Sequence, residues 1–473
     1  MNKKPAFVIG ATRSGGGKTT LTLGIIAALV GRGLKVQCFK CGPDFIDPTL
    51  HQTITATTSY NLDLNMMGAA CCRQTYAEKG ADGEVCIIEG VMGLFDGGEA
   101  STAALAKTLD VPVLLIIDSA SSAESNAAVL KGFADFDPEV QLIGVVFNRI
   151  ASPRHRELIE YALQGTRWDG YTGFMPRNDA FAIPERHLGL HMGGEKPLSE
   201  QSFETLAETV EASLDLDLIL AHAEANGKPA DESAADRAGE KLRRHQVQHS
   251  RAVRPHSRIG IARDEAFCFY YQQNFELLEK SGIELVPFSP IHDAKLPDAL
   301  DMLYFGGGYP ENYAAQLYDN VAMKEQILTF HRDKRPIYAE CGGFMYLCRS
   351  LTDMDGGRYD MVGIFPFRTL MNKRLRRLGY RSVVLQQSCL LGTAGDLLHG
   401  HEFHYSDIED DYGTALPAGV ETVYRLDNGG EEGYSFGSAV GSYVHLHFGN
   451  TPGVCDHINL QLTGNRIDTN DKA

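Results

Sequence analysis

The sequence predicts two α/β domains, each organised around a parallel sheet, and three observations carry that expectation. Apolar runs alternate with helix-like stretches through the first half, a glycine-rich loop joins the first run to a helix, and the alternation starts afresh after a polar linker. At 473 residues the chain exceeds one ordinary domain, and its 43% hydrophobic and 9% aromatic content supplies sizeable cores.

"AFVIGAT", "KVQCFK", "EVCIIEG", "VPVLLIIDSA" and "VQLIGVVFNRI" read as strands buried on both faces, because their apolar residues run on without alternating. Between the first two, Leu21, Ile25 and Leu29 recur at helical spacing until Gly31 and Gly33 stop the helix. "GFMPRND" adds a strand ending near residue 178. Residues 222–257 are poor in large apolar side chains and rich in Ala, Glu, Arg and His, the composition of a linker. "RIGIARD" then opens a new strand, followed by a helix and by "IELVPFSP", "ALDMLYFGGGYPE" and "RPIYAECGGF". The expected organisation is a domain over 1–221, a linker over 222–257 and a second domain over 258–473.

A net charge of −17 argues against nucleic acid or an anionic membrane as partner, while leaving room for a local cationic pocket. No run of about 18 apolar residues is present, and "MNKKPAFVIG" lacks the apolar core of a signal peptide. The expected location is the cytoplasm. There the ten cysteines read as ordinary thiols, and the C-x-x-C of Cys38 and Cys41 has no second pair at zinc-site spacing. A homodimer is the expected assembly, since closed symmetric dimers are the commonest oligomers.

"FVIGATRSGGGKTTLTLGIIAAL" is a strand, a glycine-rich loop and a helix, the arrangement that binds nucleotide phosphates. Backbone N–H groups of Gly15, Gly16 and Gly17 are free of Cβ obstruction and can cradle phosphate oxygens, with Thr20 beside them. Lys18 reaches the outer phosphates, and the Thr19 hydroxyl is placed for Mg²⁺. Glu89 follows "VCII", where an acid holds Mg²⁺ directly or through water. Asp118 ends its strand either in that role or as a helix cap, and Asn148 is either an adenine-edge reader or a turn residue. "FKCGPDFIDPTLH" adds Lys40, Asp44, Asp47 and His51 in a loop that Pro43 and Pro48 stiffen. Lys40 follows a strand and reads as a cation placed for a substrate anion or as a solvated lysine.

In the second domain "RPIYAECGGFMYL" sets Cys341 on a sharp strand-to-helix turn, where a helix N-terminus lowers a thiol's pKa. "YFGGGYPE" offers N–H donors at Gly306 to Gly308 for an oxyanion, Gly307 and Gly308 foremost. "GSYVHLHFGN" supplies His445 and His447 as candidate bases.

The residues carry a resemblance. Thr12 stands where G-x-x-x-x-G-K-[ST] wants glycine and Gly10 is offset by two, so the loop resembles the longer-looped ATPases, dethiobiotin synthetase and the ParA/nitrogenase-iron-protein group. The E-C-G-G elbow, the G-G-G-Y-P-E loop and Y-x-H-x-H-F look like the class I glutamine amidotransferase domain of the cobyrinic acid synthase group. With "KCGPDFIDPTLH", "IIEGVMGLFDG" and "GHEFHYS" in order, the chain outside its linker resembles the cobyrinic acid a,c-diamide synthase family, the nickel-sirohydrochlorin branch included.

That resemblance implies a tetrapyrrole polycarboxylate amidated on its a- and c-acetates with ATP, Mg²⁺ and L-glutamine, in cobalamin biosynthesis. It places Asp44 and Glu89 near metal and phosphates, and Ile46, Asp47 and Asp96 nearer the reacting acetates. It makes Cys341 the nucleophile and His445 the base, with His447 second. Most class I relatives carry an acid two residues past the base; here that residue is His447. Cobyric acid synthase is the enzymatic alternative. A ParA-like switch ATPase that binds a partner is the alternative of another class, and it leaves Cys341, the glycine loop and the late histidines without a task.

Overall fold

The computed structural model describes residues 4–170, 172–178, 199–226, 257–409, 416–451 and 453–470. The chain divides into two compact units, Met1–Gln246 and Val247–Ala473. Of the linker expected over 222–257, residues 222–226 close a helix and Ser257 opens a strand; the remainder lies outside the described residues.

The first unit holds a seven-stranded sheet of β1 (Ala6–Ala11), β2 (Val36–Cys41), β3 (Tyr60–Leu62), β4 (Val85–Glu89), β5 (Val113–Asp118), β6 (Leu142–Ile150) and β7 (Thr172–Pro176). The order is β3-β2-β4-β1-β5-β6-β7, and every neighbouring pair is parallel. Successive residues point to opposite faces, so Phe7, Ile9 and Ala11 join one core layer and Val8 the other. Helices α1 (Lys18–Gly31), α2 (Asp47–Thr55), α7 (Glu200–Ser213) and α8 (Leu216–Asn226) cover the first layer. Helices α3 (Gly68–Gly80), α4 (Thr102–Leu109), α5 (Ser125–Phe136) and α6 (Pro153–Leu163) cover the second. Burial on both faces is why these strands read as unbroken apolar runs.

Leu21, Ile25 and Leu29 of α1 all face the sheet, buried as their spacing implies. Gly33 then takes φ +83°, and Leu34 N–H donates to Leu29 O at 3.1 Å, which ends the helix. Gly24 lets α7 approach: a Cβ there would stand 2.7 Å from Val210 Cγ2. The three-residue edge strand β3 went unread because it is too short to show a period.

The second unit contains a ten-stranded sheet. Its strands are β8 (Ser257–Ala262), β9 (Ile283–Phe288), β10 (Met302–Phe305), β11 (Ile337–Glu340), β15 (Arg377–Leu385), β16 (Leu397–His404), β18 (Val420–Leu426), β19 (Glu431–Phe436), β20 (Ala439–Ser442) and β21 (His445–His447). The order is β21-β16-β15-β18-β19-β20-β11-β10-β8-β9. The stretch β20-β11-β10-β8-β9 is parallel, and the rest is antiparallel. A smaller sheet of β12 (Cys348–Thr352), β13 (Arg358–Asp360), β14 (Phe365–Met371) and β17 (Ser406–Ile408) packs into the same unit. Helix α9 (Gln272–Lys280) covers one face with Phe275 and Leu278, and α10 (Val321–Arg332) the other with Met323, Ile327 and Phe330. Among the described residues no helix is long and apolar enough to cross a membrane.

Ile25 is fully buried between α1 and the sheet. Ile25→Ala is expected to lower unfolding free energy by about 2–5 kcal/mol, read from urea melts of the intact chain.

Candidate functional site

In the first unit the loops leaving β1, β2, β4, β5 and β6 gather at one edge of the sheet, because parallel strands all end there. Gly15 and Gly17 hold φ +69° and +96°, a region that side chains with a Cβ rarely enter. A Cβ on Gly17 would run into the Asn148 carboxamide. Asn148 Nδ2 donates to Gly16 O at 2.9 Å, and Arg149 N–H donates to Asn148 Oδ1 at 2.8 Å. Arg149 also donates to Gly15 O at 3.0 Å and to Asp118 Oδ2 at 2.7 Å, and Arg13 bonds the same carboxylate. Asp118 thus sits between two guanidinium groups that border the loop. Burial opposes its ionisation, but Arg13 and the other partners outweigh burial and lower its pKa.

Lys18 bonds Met92 O, and Thr19 Oγ1 donates to Glu89 Oε1 at 2.7 Å. Glu89 is wholly buried and also meets His51 Nε2 at 2.8 Å and Lys40 Nζ at 3.1 Å. Lys40 reaches Asp47 Oδ2 at 2.6 Å and donates to Gly90 O at 3.1 Å. Burial disfavours the Lys40 ammonium, yet Asp47, Glu89 and Asp44 more than offset it and raise its pKa. Burial likewise works against the Glu89 carboxylate, but Lys40, His51 and Thr19 hold its pKa well below the ordinary value. His51 Nδ1 meets Ser59 Oγ at 3.0 Å, leaving Nε2 as the N–H that faces Glu89.

Thr19, Lys40, Asp47 and Glu89 therefore share one hydrogen-bonded cluster. Asp44 heads α2 beside it, its Oδ1 accepting from Ile46 N at 2.8 Å and Asp47 N at 3.2 Å. Ile46 is half-buried at the same turn, and Thr20 lies in the first turn of α1. Asp96 stays in its own loop, exposed, accepting from Gly93 N at 3.1 Å. His51, Arg13 and Arg149 were given no role from sequence. The signal for His51 was its spacing, four residues after Asp47, which puts both on one face of α2.

In the second unit β11 ends at Glu340, and Cys341 turns the chain into helix α11 (Gly342–Leu347) with φ +45° and ψ −107°. A cysteine in that region is strained, and the neighbours hold it there. Its N–H donates to Ser442 O at 2.7 Å, and Gly343 N–H donates to Gly306 O at 3.0 Å. A Cβ on Gly342 would lie 2.8 Å from Pro310 Cδ and 3.1 Å from Gly308 N, so glycine lets the elbow press against the glycine loop. Gly308, at φ +152°, has no room for a Cβ against Ala266 O. A Cβ on Gly307 would overlap the imidazole of His445.

The helix N-terminus lowers the thiol's pKa through Gly342 N–H, but the net shift is upward. Burial raises it first and Glu311 adds to that, and together they outweigh the bond from Gly342 N–H. Burial pushes His445 down to about 3, helped by His401 and His404, and pushes His447 down to about 3. Both are neutral imidazoles at neutral pH. His445 lies against the glycine loop, whereas His447 packs on Tyr271 at 5.1 Å and accepts from Gly449 N at 3.0 Å.

A P-loop ATPase unit and a unit with a strand–cysteine–helix elbow define a nucleotide-using amidotransferase. Residues 7–190 match the CobQ/CobB/MinD/ParA nucleotide binding domain, and residues 258–453 match the CobB/CobQ-like glutamine amidotransferase domain. The cobyrinate a,c-diamide synthase of Syntrophotalea carbinolica is 44% identical over 456 residues, covering 95% of this chain and 96% of its own. That of Listeria monocytogenes is 40% identical over 454 residues, covering 95% and 96%. That of Salmonella typhimurium is 38% identical over 460 residues, covering 96% and 97%. The chain belongs to the cobyrinate a,c-diamide synthase family. It is a glutamine-hydrolysing ligase with a P-loop domain that uses ATP.

Lys40→Met keeps the aliphatic stem and leaves Asp47 and Glu89 buried without their shared cation. The expected cost is about 3–5 kcal/mol in urea melts at pH 7. Because Glu89 titrates below its ordinary 4.5, wild type holds its share of that stability above about pH 4.5 and loses it as pH falls further. The gap between wild type and variant should narrow in that acidic window.

Proposed function

We propose that the chain amidates the a- and c-acetate carboxylates of cobyrinic acid, a step of cobalamin biosynthesis, with residues 1–221 activating the carboxylate and 258–473 releasing ammonia from glutamine. The observation that carries this is the presence in one chain of a P-loop facing a buried Lys40–Glu89–Asp47 cluster and of a cysteine elbow pressed on a glycine loop. The relatives' shared name supports the choice of substrate. A ParA-like switch has no use for the second unit.

A carboxylate is a poor electrophile, so it first takes the γ-phosphoryl of ATP on one oxygen. Ammonia then attacks the acyl carbon, the C–N bond forms and phosphate leaves. Gly15, Gly16 and Gly17 cradle the phosphates with Lys18, Thr19 and Thr20. Asn148 braces the loop and keeps one Nδ2 hydrogen for an adenine edge. Lys40 offsets charge on the acyl phosphate. Ile46, Asp47 and Asp96 face the macrocycle.

Thr19, Asp44 and Glu89 would hold Mg²⁺. Thr19 Oγ1 donates to Glu89 Oε1 at 2.7 Å, which sets two hard oxygen donors side by side. Among the described residues no group of three or more His, Cys, Asp or Glu stands as a metal cage. Bound by Thr19, Asp44 and Glu89, Mg²⁺ would neutralise charge on the phosphates.

At the second site Cys341 Sγ gives its proton to His445 and attacks the glutamine amide carbon, while Gly307 and Gly308 N–H groups receive the oxyanion. The proton passes to the leaving ammonia, and water then cleaves the thioester to glutamate.

With cobyrinic acid, ATP and glutamine, mass detection should find mono- and diamide. Cys341→Ala should lose glutamine-driven amidation by at least about 100-fold yet keep ammonia-driven amidation. Loss of both together would make Cys341 structural, and turnover of nickel sirohydrochlorin alone would overturn the substrate.

A further inference from the structure

An imidazole that takes a proton from a thiol carries its other N–H towards an acceptor, which fixes the tautomer and steadies the imidazolium. His447, two residues beyond His445, supplies no negative charge and is engaged with Gly449 N–H and Tyr271. The acceptor comes from elsewhere in the fold. We propose that Glu340, the residue before the nucleophile, is the positioning acid for His445.

Glu340 Oε2 lies 3.8 Å from His445 Nδ1, with both side chains buried. That is ion-pair distance, and such contacts tighten to hydrogen bonds when substrate closes a site. The carboxyl is firmly held: Tyr304 OH donates to Oε2 at 3.0 Å, Tyr338 OH to Oε1 at 2.7 Å and Leu446 N–H to Oε1 at 3.0 Å. Leu446 follows His445, so the same carboxyl also anchors the strand that carries the base. The Cε1 corner of the imidazole, between its two nitrogens, abuts Gly307. His445 is thereby set between the carboxyl of β11 and the glycine loop after β10.

A carboxyl without a salt-bridged cation is costly to bury, and three donors offset part of that cost. Burial still pushes Glu340 up to about 7, with Leu446 N–H and the hydroxyls of Tyr338 and Tyr304 pulling the other way. Tyr270, Tyr424 and Cys341 also face it, and His401 and His404 face His445. Only once ionised does Glu340 add the negative charge that steadies the imidazolium, so glutaminase activity should rise as pH passes through neutrality.

This inference rests on His445 being the base, and the test separates the two. In the full chain, Glu340→Gln should lower glutaminase kcat about 10- to 100-fold while glutamine KM and ammonia-driven amidation stay within about 2-fold of wild type. The acidic limb of the kcat/KM profile should move to lower pH, and the double variant with His445→Ala should be no slower than His445→Ala alone. Wild-type kcat and pH profile in Glu340→Gln, beside an inactive His445→Ala, would overturn the role of Glu340 and leave the base standing. An active His445→Ala would overturn the base instead, and Glu340's role with it. Should Glu340→Gln fail to fold, Tyr304→Phe removes one donor from the same carboxyl. A fall in kcat with unchanged KM and a moved limb supports the proposal, and an unmoved limb overturns it.

Discussion

Both sites depend on parallel strands ending at one edge of a sheet. Each strand delivers its last side chain and the loop after it to that edge, so residues far apart in sequence converge without further folding devices. In the first unit this brings the β1 loop, Lys40 of β2, Glu89 of β4, Asp118 of β5 and Asn148 of β6 together. In the second, β10 delivers the glycine loop, β11 delivers Glu340 and Cys341, and β20 supplies the Ser442 carbonyl that fixes the elbow. The helices keep both faces of these strands dry.

The two edges meet opposite electrostatic demands. The phosphate-facing edge has to carry charge, and it does so by burying a lysine among carboxylates with a histidine and a threonine as further partners. Each ion is expensive alone, and the cluster is tolerable because the members offset one another. The cysteine edge is kept nearly neutral. Burial raises the thiol's pKa, lowers those of both histidines and lifts Glu340 to about 7, so each of these groups favours its uncharged form. Glycine serves both edges through the space it leaves: Gly17 admits Asn148, Gly307 admits His445, and Gly308 admits the backbone at Ala266.

Much of this was legible in the chain. Five unbroken apolar runs were read as the central strands, since two-sided burial removes alternation, and the GKTT and ECGG turns stood at strand ends. The antiparallel half of the second sheet was not legible, because strands such as Arg377–Leu385 and Glu431–Phe436 are partly exposed and rich in polar residues. His51 was visible only as one more ionisable residue. The helix N-terminus does pull the Cys341 thiol down, as the turn implies, but burial and Glu311 outweigh it, and sequence shows the turn without showing how deeply the thiol is buried.

The sequence by itself determined the class of fold, the family and the residue types at each turn, because local pattern and motif spacing are properties of neighbours along the chain. Tertiary structure alone decided which of those residues meet. Lys40 bridging Asp47 and Glu89, Arg149 clasping Gly15 and Asp118, and Glu340 standing beside His445 are contacts across 7 to 134 positions. Charge states follow from the same source. Desolvation and the field of buried partners set them, and neither exists until the layers close over the sheet.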